Sequence, residues 1–455
     1  MTTTAASTNA PGFEQATYNK LFWRLVPFLF LLYVVAFLDR VNVSFAKLQM
    51  GKDLGFSETV YAAGAGWFFI GYFFFEVPSN LILNKVGARL WIARILIIWG
   101  MISAAFMYVE PISKWFGVET AMGFNTMRFI LGAGEAGFFP GIILYLTFWF
   151  PSEYRARIVA LFMTAVAIAG VIGSPLSGAI MQYMAGLNGW AGWQWLFLLE
   201  GLPAILLGVI TILYLDNNPQ EAKWLEPKER ALVIERLAED HKRKSDAGGH
   251  HNFLASLKDY KVWVLAAIYF SVVVGFYGVT FFLPQLVKEM GVKGEFNNGL
   301  ISSIPWIVAA IAMSLNGRHS DKHMERRWHV AIPALIAAAG LIITGFAGKS
   351  QPIISMIGLT MTTAGCLSVT SCFWSLPTAF LTGTAAAGGI AMINSFGNLG
   401  GYYGPKWIGI IKDKLGDPAN ALFILAGFLV LCAVLTLTVF KPIPASSLRP
   451  AAEGA

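Results

Sequence analysis

Twelve long apolar runs, separated by shorter polar stretches, leave this chain few folds to adopt. They lie near 22–46, 58–82, 90–109, 121–149, 156–184 and 193–215, then 259–287, 297–317, 328–347, 352–375, 379–411 and 418–440. A helix needs about 20 residues to cross the ~30 Å hydrocarbon core of a bilayer, and these runs are of that order. Within lipid every backbone N–H and C=O must find a partner inside the segment or in a closed barrel, and long unalternating runs favour helices. Only 13% of the 455 residues are charged and 56% are hydrophobic, whereas soluble domains carry about 25% charged residues. The expected fold class is therefore an all-α integral membrane protein, with twelve transmembrane helices in two six-helix halves.

The polar stretches set the domain order. We expect a cytoplasmic N-terminal tail over 1–20, a first bundle over 21–215 and a cytoplasmic linker over 216–258. A second bundle over 259–440 and a cytoplasmic C-terminal tail over 441–455 follow. The linker contains a helical-looking EPKERALVIERLAEDHKRK and then SDAGGHHN. Lys and Arg crowd the segments on the side of the N-terminus, even with the linker set aside, which places both termini in the cytoplasm. The run at 22–46 is too long for a signal-peptide core and has no basic start ahead of it, so it is read as a retained first span of a multi-pass protein in the cytoplasmic (inner) membrane. The net charge of +7 is spread over short loops, which gives no nucleic-acid footprint. Cys366, Cys372 and Cys432 lie inside apolar runs and form no metal or disulfide pattern. His241, His250 and His251 lack a ligand framework, so no metal is expected.

Four charges sit inside the apolar runs. In NTMRFILGAGEAGFFPG (125–141), Arg128 and Glu135 are seven residues apart, two turns of helix, and share one face. Pro140 and Gly141 mark a bend or a break. In the first run Asp39 and Arg40 are neighbours, about 100° apart around a helix, with Asn42 close to Asp39. A charge at mid-membrane costs at least ~2.5–3.5 kcal/mol on insertion scales, so such residues face a cavity or one another. Burial disfavours a charged carboxylate and a nearby guanidinium favours it, so a carboxylate between the two can gain and lose a proton. The plainer alternative is four structural charges that neutralise one another.

A shift of 237 residues superposes the first run on the seventh, Lys85 on Lys322, and Pro140 on Pro377. Internal repeats of this kind are the signature of transporters built from related bundles. The same shift sets Phe276 and Tyr277 opposite Asp39 and Arg40, and Gly365 and Cys372 opposite Arg128 and Glu135. All four central charges thus belong to the first half. The second half supplies Tyr277, Trp374, Asn394 and Asn398, neutral groups able to shape the body of a substrate. Arg40 is the candidate carboxylate anchor, because a planar guanidinium can hold a carboxylate through two parallel bonds. Arg128 is read as either a second anchor or the partner whose release frees Glu135, with the partner role favoured, and Tyr72 is a weaker substrate-contact candidate. Glu76 and Glu200 lie near the cytoplasmic and outer ends of their spans and are assigned structural roles, gating or capping, rather than transport chemistry.

Between the eighth and ninth runs the chain reads GRHSDKHMERRW (317–328), and between the second and third NLILNKVGARLW (80–91). Gly317, Arg318, Asp321, Lys322, Arg326 and Arg327 follow the loop pattern of the major facilitator superfamily, which the sequence resembles. The first-half loop departs from it, with Asn84 where an aspartate is usual. FLDRVNVSFA (37–46), EVPSNLIL (76–83), RFILGAGEAGFFPG (128–141), GWQWLFLLEGLPA (192–204) and NSFGNLGGYYGP (394–405) are more specifically similar to the anion:cation symporter branch. Gly170, Gly173, Pro175 and Gly178 partly match the superfamily's antiporter glycine motif, and also suit close packing. The resemblance implies alternating access, proton coupling at Asp39 and Glu135, and gating at Arg318 and Asp321. It implies small organic carboxylate substrates such as tartrate, phthalate, 4-hydroxyphenylacetate and sugar acids.

The expected function is secondary active transport, a proton-coupled symport that imports a small organic carboxylate: an aromatic acid or a hydroxy or sugar acid. No cofactor is expected beyond the coupling protons. The expected partners are the substrate and membrane lipid, with no nucleic acid, and the chain is expected to be a monomer. An anion exchanger or exporter on the same fold is the alternative. A membrane enzyme or nutrient sensor finds least support, since the chain has no nucleotide loop, metal-spaced His/Cys set or soluble effector domain.

Overall fold

The computed structural model describes residues 11–246, 260–323, 325–380 and 383–439. His250 and His251, positions 1–10 of the N-terminal tail and the whole C-terminal tail lie outside the described residues. Among the described residues, eleven helices are long and apolar enough to cross a membrane. The first six are Gly12–Asp53, Glu58–Val86, Ala88–Trp115, Thr120–Thr147, Ser152–Tyr183 and Gly192–Tyr214. Tyr260–Glu289, Glu295–His323, Arg327–Ala347 and Pro352–Pro377 are the seventh to tenth, and Ala419–Val439 comes last. Before that last helix, where the sequence places another span, lie two shorter helices, Gly383–Asn398 and Gly400–Leu415. Counted together as the eleventh span, they complete the twelve-helix order, and the all-α membrane fold read from the sequence holds.

The first span begins well before its apolar run. Its polar opening turns dock on a linker helix, Pro227–Asp246, where Glu14 pairs with Arg236 at 2.6 Å and Lys20 with Glu229 at 2.7 Å. Farther along that helix Asp240 accepts from Ser152 at 3.0 Å, and just ahead of it Trp224 stacks on Trp149 with centroids 5.7 Å apart. The helical part of the linker is thus a docked element of the first half.

Several spans are interrupted near their middles. The first span's helix breaks at Asn42, the fourth at Ala136–Gly137, the tenth at Trp374 and the eleventh at Leu399. The fourth-span break precedes Pro140 rather than falling on it. Gly137 adopts φ +86°, which a side chain resists, and a Cβ there would meet Ser79 Oγ at 2.3 Å. Pro140 then lies in the first turn of the following helix, where no N–H bond is lost. The repeat is visible in these breaks, since the 237-residue shift carries Gly137 onto Trp374. Broken helices at mid-membrane free backbone groups and aim polar side chains inward.

The two halves meet most closely at the end opposite the linker. A Cβ on Gly178 would lie 2.3 Å from the Glu295 carbonyl, and one on Gly299 would lie 2.2 Å from that of Ser174, so the fifth and eighth spans touch backbone to backbone there. Gly170 abuts Trp306 and Gly173 abuts Leu38, so these motif glycines all serve packing in this state. Lys47, 9% exposed, donates to Glu58 in its own half and to Gln285 in the other, between the rings of Tyr61 and Phe282. Lys412 pairs with Glu58 at 3.4 Å and with Glu289, and Asp413 caps the second span from across the interface through the Thr59 N–H at 2.8 Å. Removing one member of a buried charge pair typically costs ~3–5 kcal/mol, so Lys47→Met should raise the population open at this end by about tenfold or more. Spin labels at exposed Lys52 and Lys293 would read this as a longer distance. A distribution identical to wild type would place the closure elsewhere.

Candidate functional site

Arg40 lies on the first span, two residues before its break, and Glu135 ends the first helix of the fourth span. The two form a buried ion pair through Arg40 Nη2 and Glu135 Oε1. The other arm, Nη1, donates to Tyr277 Oη of the seventh span at 3.1 Å. These are positions 40 and 277, related by the repeat shift, so equivalent sites of the two halves touch each other. Tyr277 is itself fixed by rings, with Phe281 stacked at 5.6 Å and Phe69 of the second span at 4.6 Å. Phe68 and Tyr72 lie 5.2 Å and 5.6 Å from the guanidinium carbon of Arg40, presenting π faces to the cation. Among the described residues, Glu135 Oε2 and Arg40 Nε have no hydrogen-bond partner although both are buried. The pair is therefore incompletely satisfied, which suits a site that exchanges partners.

Asp39, on the neighbouring position, points away from this pair. It accepts from Trp99 Nε1 at 2.8 Å, from Ser103 Oγ and from Asn42 Nδ2 at 3.1 Å. Trp99 and Ser103 are four residues apart on the third span, one face of a helix, and that face grips Asp39. The 100° between Asp39 and Arg40 thus separates a carboxylate held within the first half from a guanidinium presented to the second.

Arg128 does not pair with Glu135 in this structure, contrary to what their shared helical face suggests. Its Nε donates to the Gly64 carbonyl at 3.2 Å, and its guanidinium carbon sits 5.1 Å from the Phe68 ring. Both terminal nitrogens are buried without a hydrogen-bond partner among the described residues. The Phe68 ring is thus close to two guanidiniums, and among the described residues only that of Arg40 has a carboxylate partner. The second span also comes within backbone contact of the fourth: a Cβ on Gly132 would fall 1.9 Å from the Phe68 carbonyl.

The second-half candidates are distributed around this centre. Trp374 sits at the tenth-span break, its ring 5.0 Å from that of Tyr269 on the seventh span. Asn394, 7% exposed, donates to Glu76, and Ser395 donates to the other Glu76 oxygen at 2.9 Å. Asn398 is half-buried at the end of the first eleventh-span helix, and Tyr72 is buried beside Phe68. Asp321 and Arg318 stand apart, at the linker end of the eighth span, where Asp321 pairs with Arg326 at 2.6 Å and Arg318 is exposed. Sequence reasoning missed Trp99, Ser103 and Phe68, and it gave Glu76 a gating or capping part without a partner. The four-residue spacing of Trp99 and Ser103 was a usable signal, whereas the contact of Glu76 with residues 394 and 395 left none.

The chain is 48% identical over 431 residues to a putative tartrate transporter of Agrobacterium vitis, covering 95% of this chain and 96% of the relative. It is 39% identical over 428 residues to a quinolone resistance transporter of Acinetobacter baumannii, covering 94% and 96%. Its fold resembles the inward open conformation of the xylose transporter XylE from E. coli, with a TM-score of 0.74 at 16% identity over 94% of this chain and 98% of that one. The model of the Major Facilitator Superfamily matches residues 29–405, from inside the first span to the second helix of the eleventh, and the chain belongs to that superfamily of transporters.

Proposed function

We propose that the protein imports a small organic carboxylate together with protons, by alternating access, as a monomer in the cytoplasmic membrane with both termini in the cytoplasm. One observation carries this reading. Arg40, at the junction of the two halves, is held on one side by the carboxylate of Glu135 and on the other by the phenol of Tyr277. A substrate carboxylate needs the same guanidinium, and two carboxylates crowded onto one cation repel each other. A proton on Glu135 removes that competition and frees Arg40 for the substrate, while Tyr277 supplies the contact from the second half. Loss of the proton restores the ion pair and expels the anion. Asp39, gripped by Trp99 and Ser103, is the second coupling carboxylate in this scheme. Import of an anion against an inside-negative potential costs about 2.3 kcal/mol per charge per 100 mV, which bound protons offset.

The surroundings favour a compact acid bearing a ring or hydroxyls. Tyr277, Asn394 and Asn398 can hydrogen-bond hydroxyls, and Trp374 with the Phe-rich seventh span can stack on a ring. Tartrate, named for the Agrobacterium relative, is a small hydroxy acid of this kind. Export or exchange of an acid is the second reading, favoured by the resistance transporter among the relatives.

Purified protein in liposomes decides between them. An outside-acid gradient should drive accumulation of an aromatic or hydroxy acid, with competition from the other class and none from an amino acid, a neutral sugar or an organic cation. Inhibition by a sugar or a cation, but by no carboxylate, would sink the substrate reading. Efflux under the reversed gradient without concentrative uptake would favour the exporter.

A further inference from the structure

Glu76 has no part in the scheme above, yet it bridges the two halves. It lies on the linker-side half of the second span, 3% exposed, and both of its oxygens are taken by the eleventh span. Asn394 Nδ2 donates to Oε1, and Ser395 Oγ donates to Oε2 at 2.9 Å. Phe73, one turn before Glu76, and Phe396, next to Ser395, cross edge to face with centroids 5.6 Å apart. The two bonds join the second span to the eleventh on the linker-side half, so any movement that parts these spans there breaks both.

The strength of those bonds depends on charge. A carboxylate accepting from an amide and a hydroxyl makes charge-assisted bonds, roughly twice as strong as neutral ones. A protonated Glu76 has one acceptor fewer and carries a donor that faces two donors. The groups acting on Glu76 come from each packed element. Arg40 of the first span is the cation whose field reaches it, while Tyr72 on its own span and Tyr269 on the seventh are phenols. Phenols do not titrate between pH 5 and 8. The eleventh span faces it with the neutral pair Asn394 and Ser395.

We propose that Glu76 is a third proton-linked carboxylate, a positioning residue whose charged form clasps the second span to the eleventh and whose protonation releases them. The proton comes from water on the linker side, forms an O–H bond on one carboxylate oxygen, and returns to water when the clasp re-forms. The proposal rests on the reading that protons drive the cycle, and it adds a site that acts on the halves directly rather than through Arg40.

Spin labels on cysteines placed at exposed Asn84 and Tyr260 report the linker-side separation of the halves in the full chain, in liposomes, without substrate. Raising the pH from 5 to 8 should increase the short-distance population of the wild type about threefold or more. Glu76→Gln should flatten that response. The double substitution Glu76→Gln with Asn394→Asp returns a carboxylate to the pair from the opposite side and should restore it, which a purely structural contact would not do. A pH response absent from the wild type, unchanged in Glu76→Gln, or not restored in the double variant overturns the proposal. Because no substrate is present, a wild type that shows the response yet fails to accumulate any carboxylate overturns the transport reading alone.

Discussion

Glu135→Gln is expected to abolish proton-driven accumulation while leaving substrate exchange across the membrane largely intact. The substitution keeps the size of the side chain and removes its titration, so Arg40 loses the only carboxylate it pairs with among the described residues. Stripping a buried cation of its partner normally costs ~3–5 kcal/mol, but here a substrate carboxylate can take the vacant place, so binding persists. What should disappear, on the proposed scheme, is the alternation between two partners that would link the proton to the anion. A gradient of two pH units is worth about 2.7 kcal/mol per proton, or ~100-fold accumulation. The variant should reach a ratio of about one, with counterflow exchange within about threefold of wild type, as expected when titration is lost but binding is kept. Asp39→Asn should also uncouple uptake, with an added loss of stability, because its three donors lose a charged acceptor. Wild-type accumulation by both variants would move the coupling sites elsewhere.

The sequence makes the participants in this chemistry legible and their pairings much less so. Charges inside apolar runs are conspicuous, because the bilayer penalises them wherever they lie. Adjacent Asp39 and Arg40 must also point in different directions, and the structure sends one to the third span and the other to the seventh. The partner of Glu135 is harder to read. Helical spacing brings Arg128 to the same face, but the helix ends immediately after Glu135, and Arg128 is drawn to the Gly64 carbonyl of a neighbouring span. The winning contact, from Arg40, spans 95 residues of sequence and depends on how two helices are set against each other. Glu76 is a stronger case, since its donors lie 318 and 319 residues away and nothing in EVPSNLIL announces them. The helix breaks fall between these extremes. Gly137 marks one through its backbone freedom, whereas the break at Trp374 has no such local residue and emerges only through the repeat.

Arg40→Lys should cost substrate affinity without preventing insertion, and it tests the anchor most sharply. The guanidinium does two things at once, donating from Nη1 to Tyr277 and from Nη2 to Glu135. An ammonium keeps the charge, but it is a compact head on a shorter reach and cannot hold the phenol and a carboxylate in the same plane. Hydrogen bonds to charged groups contribute ~1.5–3 kcal/mol, so losing one arm of the fork should weaken binding by about 10- to 100-fold. Tyr277→Phe removes a hydroxyl partner and leaves the guanidinium free to bind, so its loss should stay below about tenfold, in line with a single ordinary hydrogen bond. Titration of a bound carboxylate by calorimetry or by thermal shift gives both numbers on the same preparation. Wild-type affinity in Arg40→Lys would transfer the anchor to Arg128, whose two terminal nitrogens are buried without hydrogen-bond partners among the described residues. Arg128→Lys would then take the larger loss, and Glu135 would be regulating a guanidinium that the substrate does not touch.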